Sequence, residues 1–218
     1  MTGEFDAEGF VLAGGRSSRM GAEKALVLFR GEPLIAHALR TLSEAGLRAS
    51  IAGARSPLEN FAPVVTDEEP AKGPLGGICS ALASASALAS ASARWAVFVP
   101  VDLPLLPAAL LTFLLREAQT DGAVAAVPEV NGFAETFPAV VDRALLPALR
   151  SELDAGRAGC YSALQTAAAS VGGSVKVVPV ADAVRDGRLA HPDGLELSYW
   201  FLNVNRPEDL ARAEACGS

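Results

Sequence analysis

The sequence predicts an α/β fold of three layers, a mainly parallel central sheet with helices on both faces. Three observations predict it. Short apolar segments alternate with helix-forming segments along most of the chain, the pattern of repeated strand–helix–strand units. One segment, "WAVFVPVD" at Trp95–Asp102, is an unbroken apolar run closed by a carboxylate, as expected of a central parallel strand covered on both faces. The first strand is followed at once by Gly14-Gly15, at the edge where α/β sheets bring backbone up to a ligand.

Each element has its own reason. Gly9–Ala13 reads as a short buried strand. In "EPLIAHALRTLSEAGLR", Pro33 suits the first helical position, and Leu34, Ile35, Ala38, Leu39 and Leu42 make one apolar face. Gly46 suits the position just past the helix end. Arg48–Gly53 and Ala62–Thr66 read as strands. "ICSALASASALASASAR" is a helix by its alanine content, and its repeated "ALASAS" unit reads as a local duplication that lengthens scaffold. Helices follow at Pro107–Gln119, near Arg143–Leu153 and at Tyr161–Ala169. Strands are expected at Ala123–Pro128, Ala134–Val141 and Val175–Val180. A strand "YWFLNV" and a capped helix "RPEDLARAEA" close the chain. No linker composition divides it, so residues 1–218 are read as one domain.

Composition narrows the function. Half the residues are apolar, which allows a sizeable core, and the formal net charge is −7. An acidic chain makes a poor general surface for nucleic acid or an anionic membrane. A small anionic substrate needs only local positive charge. Residues 16–30 supply it: Arg16, Arg19, Lys24 and Arg30 stand against Glu23 alone, a balance of +3. Cys79, Cys160 and Cys216 are three and far apart, which fits neither a disulfide framework nor a zinc site and suits a reducing, cytoplasmic setting. "MTGEFDAEG" is acidic and lacks the apolar core of a signal peptide. No stretch free of charge and proline reaches the ~20 residues of a membrane span.

The stretch after the first strand, "FVLAGGRSSRMGAEKALV", excludes two familiar phosphate loops. No spaced third glycine makes it a dinucleotide fingerprint, and no Ser or Thr follows Lys24 to make it a Walker loop. What remains is Gly-Gly, a long loop with Arg16 and Arg19, then Gly21 and Lys24. Such a loop can wrap a triphosphate with amides and cations; the plainer alternative is a glycine turn with a solvated basic surface, the reading kept for Arg30.

At this point the residues resemble a known family. "LAGGRSSRMGAEKA" (Leu12–Ala25) is similar to the signature loop of the nucleotidyltransferases that include molybdenum cofactor guanylyltransferase. "GPLGGI" (Gly73–Ile78) resembles their second nucleotide-contacting loop, "VPVDLPLL" (Val99–Leu106) their metal-binding strand end, and "FLNVNRPEDL" (Phe201–Leu210) their C-terminal segment. The resemblance spans nearly the whole chain. It implies a Rossmann-like nucleotidyltransferase fold and transfer of GMP from GTP to the phosphate of molybdenum-loaded molybdopterin, with Mg²⁺ as cofactor and pyrophosphate released. It also implies transient contact with proteins that deliver or receive the cofactor.

The resemblance assigns roles by position. Leu12, Ala13, Gly14, Gly15, Arg16, Lys24, Asp67, Gly76, Gly77 and Asp102 would contact the nucleotide. Lys24, Arg19 and Asp102 would carry catalysis, Asp102 would hold the metal, and Asn203 and Asn205 would meet the acceptor. Plainer readings stand beside these. Asp102 could cap the next helix, Asp67 beside Glu68 and Glu69 could be a solvated turn, and Asn205 could cap the last helix. His37, on the polar side of the first helix, is expected in solvent, and His191 in a loop; neither stands in a catalytic spacing. Guanylyl members of this branch carry "LAGG" where cytidylyl members carry "LAAG", and this chain reads Leu12-Ala13-Gly14-Gly15. Two alternatives stay open: a cytidylyl or other nucleotidyl transferase acting on a different phosphorylated acceptor, and a non-catalytic nucleotide-binding module. The latter would be expected to have lost Lys24 or Asp102.

Overall fold

The structure is a computed structural model that describes residues 5–13, 24–53, 57–66, 73–87, 93–120, 122–157 and 159–216. Gly14, Gly15, Arg16, Arg19 and Asp67 lie outside the described residues. The strands are β1 (Ala7–Leu12), β2 (Leu28–Phe29), β3 (Glu32–Pro33), β4 (Arg48–Ala52), β5 (Val64–Val65), β6 (Trp95–Pro100), β7 (Ala123–Val130), β8 (Phe133–Ala134), β9 (Ala139–Asp142) and β10 (Ser174–Pro179). The α-helices are α1 (Leu34–Glu44), α2 (Gly73–Ala87), α3 (Ala108–Ala118), α4 (Leu146–Asp154), α5 (Cys160–Ser170), α6 (Val180–Arg185), α7 (Leu197–Trp200) and α8 (Pro207–Glu214).

The large sheet runs β10-β7-β9-β6-β1-β4-β5, with β8 paired to β7. Its β6-β1-β4-β5 half is parallel throughout. Only β9 and the short β8 run against their neighbours, so β1, β4, β6 and β7 all point their C-terminal ends to one edge. Strand alternation sorts side chains into two cores. Val11, Ile51, Trp95, Val97 and Val99 pack against α1, α3, α6, α7 and α8. Phe10, Leu12, Ala96 and Phe98 pack against α2, α4 and α5. The predicted three layers follow, and Phe10 and Phe98, paired in register, stack at 5.5 Å between centroids.

Helix α1 ends as its sequence dictates. Gly46 takes φ +76°, its N–H donates to Ser43, and the Leu47 N–H reaches back to Leu42 at 3.0 Å. That doubly bonded end leaves Leu42 and Leu47 both buried.

Four expectations are corrected. "YWFLNV" is not a strand: α7 takes Leu197–Trp200, because the buried Trp200 donates its indole N–H to Leu195 at 2.9 Å and turns the chain. Ala134–Val141 is split into β8 and β9, with Pro138, which has no N–H to give a ladder, in the break. "GPLGGI" is not a loop but the first turns of α2, since Leu75, Ile78 and Leu82 form one buried stripe. His37 is buried rather than solvated: its Nε2–H donates to the Phe29 carbonyl at 2.9 Å, and its Nδ1 accepts from Arg40 at 2.8 Å.

Candidate active site

Two strand ends meet at the C-terminal edge of the parallel sheet. Past β1, the Ala13 N–H donates to Ala52 at 3.1 Å, and Leu12 accepts the N–H of Val101 at 3.3 Å. Past β6, the Asp102 carbonyl accepts the N–H of Val204 at 2.9 Å. The segment before α8 is thereby fastened to the end of the central strand. Lys24 opens a 3-10 turn (Lys24–Leu26) whose end is tied back through Val27 to Lys24, 3.2 Å apart.

These elements converge on one ammonium. Lys24 Nζ donates to Asp102 Oδ2 at 2.6 Å and also to the side-chain oxygen of Asn205. The Lys24 and Asp102 side chains are 16% and 17% exposed, enough for a ligand to reach them and little enough for the charges to act at reduced dielectric. Asp102 Oδ1 is buried and has no hydrogen-bond partner among the described residues. A buried carboxylate oxygen without a partner is rare, and it is the hard donor that Mg²⁺ takes. Among the described residues no group of three or more His, Cys, Asp or Glu could hold a metal, so such an ion would find there the one oxygen of Asp102 and no full ligand set.

Of the residues singled out in the sequence, Lys24, Asp102 and Asn205 are brought together, with Leu12 and Ala13 at the neighbouring strand end. Asp102 does not cap α3, which starts after Pro107 without a side-chain cap. Asn203 and Asn205 flank the fully buried Val204, so both face outward as their spacing implied. Asn205 does not cap α8 either. Asp209 does this, accepting the N–H groups of Asn205 and Arg206 at 3.0 and 2.9 Å and so fixing Asn205 beside Lys24. Sequence reading passed Asp209 over, although a carboxylate in the first turn of a helix is a recognisable cap. Gly76 and Gly77 are buried in α2, and a Cβ on Gly77 would sit 3.6 Å from Leu12; this glycine brings α2 against β1. Histidine chemistry has no place in the site. His37 is spent on Phe29 and Arg40, and His191 donates to the Leu105 carbonyl at 3.2 Å while accepting the Asp193 N–H.

A mainly parallel sheet whose strand ends bring a lysine, a carboxylate and an amide together is consistent with a nucleotidyltransferase, and comparison with known proteins gives that class. The family model described as MobA-like NTP transferase domain matches residues 9–171. The chain belongs to that family. A molybdenum cofactor guanylyltransferase of Xanthomonas euvesicatoria is 45% identical over 111 residues, 51% of this chain and 54% of that protein. A protein of the same name from Pseudomonas entomophila is 33% identical over 193 residues, 86% of this chain and 93% of that one. The chain thus spans about half the length of the first relative, 54%, and nearly all of the second, 93%. Among solved structures, molybdopterin-guanine dinucleotide biosynthesis protein A of Archaeoglobus fulgidus shares the fold, with a TM-score of 0.73 at 22% identity, covering 95% of this chain and 96% of that one. Among the described residues no helix is long and apolar enough to cross a membrane.

Proposed function

We propose that the chain transfers GMP from GTP to the phosphate of molybdenum-loaded molybdopterin, releasing pyrophosphate and forming a guanine dinucleotide cofactor. The observation that carries the reading is the junction of Lys24, Asp102 and Asn205, in a chain of this family, with one Asp102 oxygen unpartnered among the described residues. The Xanthomonas and Pseudomonas relatives, both molybdenum cofactor guanylyltransferases, support the guanylyl reaction.

The acceptor phosphate is already an anion, so no strong base is needed. The work is positioning two anions and holding the charge that develops on the leaving group. Lys24 meets phosphate oxygens as a compact cation, its direction preset by Asp102 and Asn205. Asp102 Oδ1 would hold Mg²⁺. That ion, when bound, offsets triphosphate charge and eases departure of pyrophosphate. Arg16 and Arg19, with the amides of Gly14 and Gly15, would line the triphosphate, while Asn203 and Asn205 would face the acceptor. Gly76 and Gly77 bring the first turns of α2 close to the same strand end, and Asp67 would meet the nucleoside. A protein cytoplasmic in the cell, taking its acceptor from one partner and passing the product to another, fits this reading.

Steady-state rates with GTP and CTP, Mg²⁺ and molybdopterin test it. GTP should be used well above CTP, and Gly14→Ala should lower the GTP rate more than the CTP rate. Where backbone meets the base edge, a methyl group displaces a purine, and an unpaired polar edge costs about 1–3 kcal/mol. Equal use of both nucleotides, or preference for CTP, sinks the guanylyl assignment and leaves the cytidylyl alternative.

A further inference from the structure

Arg30 belongs to no motif; with Gly31 it makes the two-residue turn between β2 and β3, at φ +50° and +82°, the pair of positive angles a tight hairpin turn requires. Three contacts then hold it in place. Its N–H lies 3.4 Å from the Glu214 carboxylate, its guanidinium donates to the Cys216 carbonyl, and the same guanidinium covers the Phe29 ring at 5.0 Å. Phe29 is buried, and its ring meets that of His37 edge-on at 5.0 Å. The β2–β3 hairpin is therefore a fixed post, and Arg30, exposed as its sequence suggests, is also bonded across to the end of α8.

What the post holds is α8, which has little apolar anchorage of its own. Along Pro207–Cys216 only Ala213 and Cys216 are buried, with Leu210 partly so. The helix is about 12 Å long at 1.5 Å per residue, and it is gripped at both ends by one short stretch of chain. Lys24 bonds Asn205 just before it, and Arg30 bonds Glu214 and Cys216 at its end.

We infer that Arg30 is a positioning residue: it holds α8, through α8 it holds Asn205, and through Asn205 it sets the direction of the Lys24 ammonium. The inference rests on the reading of Lys24 as a phosphate-binding group.

Amide hydrogen exchange and a double-mutant cycle on the full chain test it. Arg30→Ala should speed exchange of the Val204, Asn205 and Arg206 amides about ten-fold, because they report the anchored start of α8. It should also lower GTP turnover about ten-fold through misdirection of Lys24. Arg30→Lys, which can still donate to the Cys216 carbonyl, should recover part of both. Since Arg30 acts through Asn205, adding Arg30→Ala to Asn205→Ala should cost less than about two-fold more. Exchange confined to residues 213–216, or additive losses in the cycle, would overturn the inference. Wild-type protein that turns over no GTP would overturn the guanylyl reading instead, while exchange at 204–206 still decides the role of Arg30.

Discussion

Asp142 and Asp102 stand at opposite ends of one strand. Asp142 pairs with Trp95 where β6 begins, and Asp102 lies two residues past Pro100, where β6 stops. Each faces a cation, Arg94 at 2.8 Å and Lys24 at 2.6 Å. They differ in what remains. Asp142 spends its second oxygen on the Ala144 N–H at 2.9 Å and is complete within the fold. Asp102 leaves Oδ1 buried without a partner among the described residues. Buried acids that serve structure are saturated by structure; an acid left half satisfied carries a desolvation cost that a ligand can relieve. The same logic separates the cysteines from the site: burial pushes the Cys160 thiol up to about 11, which leaves it protonated and unreactive.

The sharpest way to break this contrast is Asp102→Asn. It keeps the shape and removes the charge, so transfer should fall by about 10²-fold or more while the melting temperature barely moves. A rate within a few-fold of wild type at saturating Mg²⁺ would make Asp102 another structural acid. Asp142→Ala should do the reverse, costing about 1–3 kcal/mol of stability in a denaturant titration, because the Ala144 N–H and Arg94 lose their acceptor. Turnover per folded molecule should stay unchanged.

His37 extends the contrast to a base. Burial, with the Arg40 guanidinium facing Nδ1, pushes its pKa below the ordinary 6.5; Glu32 lies 3.8 Å away and opposes this only weakly. The folded state therefore rejects a proton that the unfolded state accepts. The resulting stability is full above pH 6.5 and is lost as pH falls through the depressed value. Melting temperatures from pH 7.5 to 5 should decline more steeply for wild type than for His37→Gln. Parallel curves would refute the assignment.

The smallest effect is expected at Gly77→Ala. The new methyl meets Leu12 at an ordinary 3.6 Å and removes a helix-interior glycine, so stability should rise by up to about 1 kcal/mol. A drop in nucleotide affinity without loss of stability would place the nucleotide against α2 and extend the site beyond strand ends.

Much was legible in the chain itself. The run Trp95–Val99 announced a strand buried on both faces because only such a strand tolerates unbroken apolar sequence, and Gly46 announced the end of α1 because only glycine takes that backbone angle freely. Lys24 and Asp102 stood out through the family resemblance of their motifs, and the structure brings the two side chains together at 2.6 Å. Other features depended on distance along the chain. The bond between Lys24 and Asn205 joins positions 181 residues apart, and the Arg30 clasp on Cys216 spans 186; no local propensity records such pairs. For the same reason His37 read as solvated, because its partner carbonyl on Phe29 enters only when the β2–β3 hairpin folds over α1. Local pattern, set by backbone geometry and by which side chains prefer water, was determined by the sequence alone. Which polar groups satisfy one another, and that Asp102 keeps an oxygen unpartnered among the described residues, was decided only when the tertiary structure closed, because hydrogen bonding depends on where distant groups finally stand.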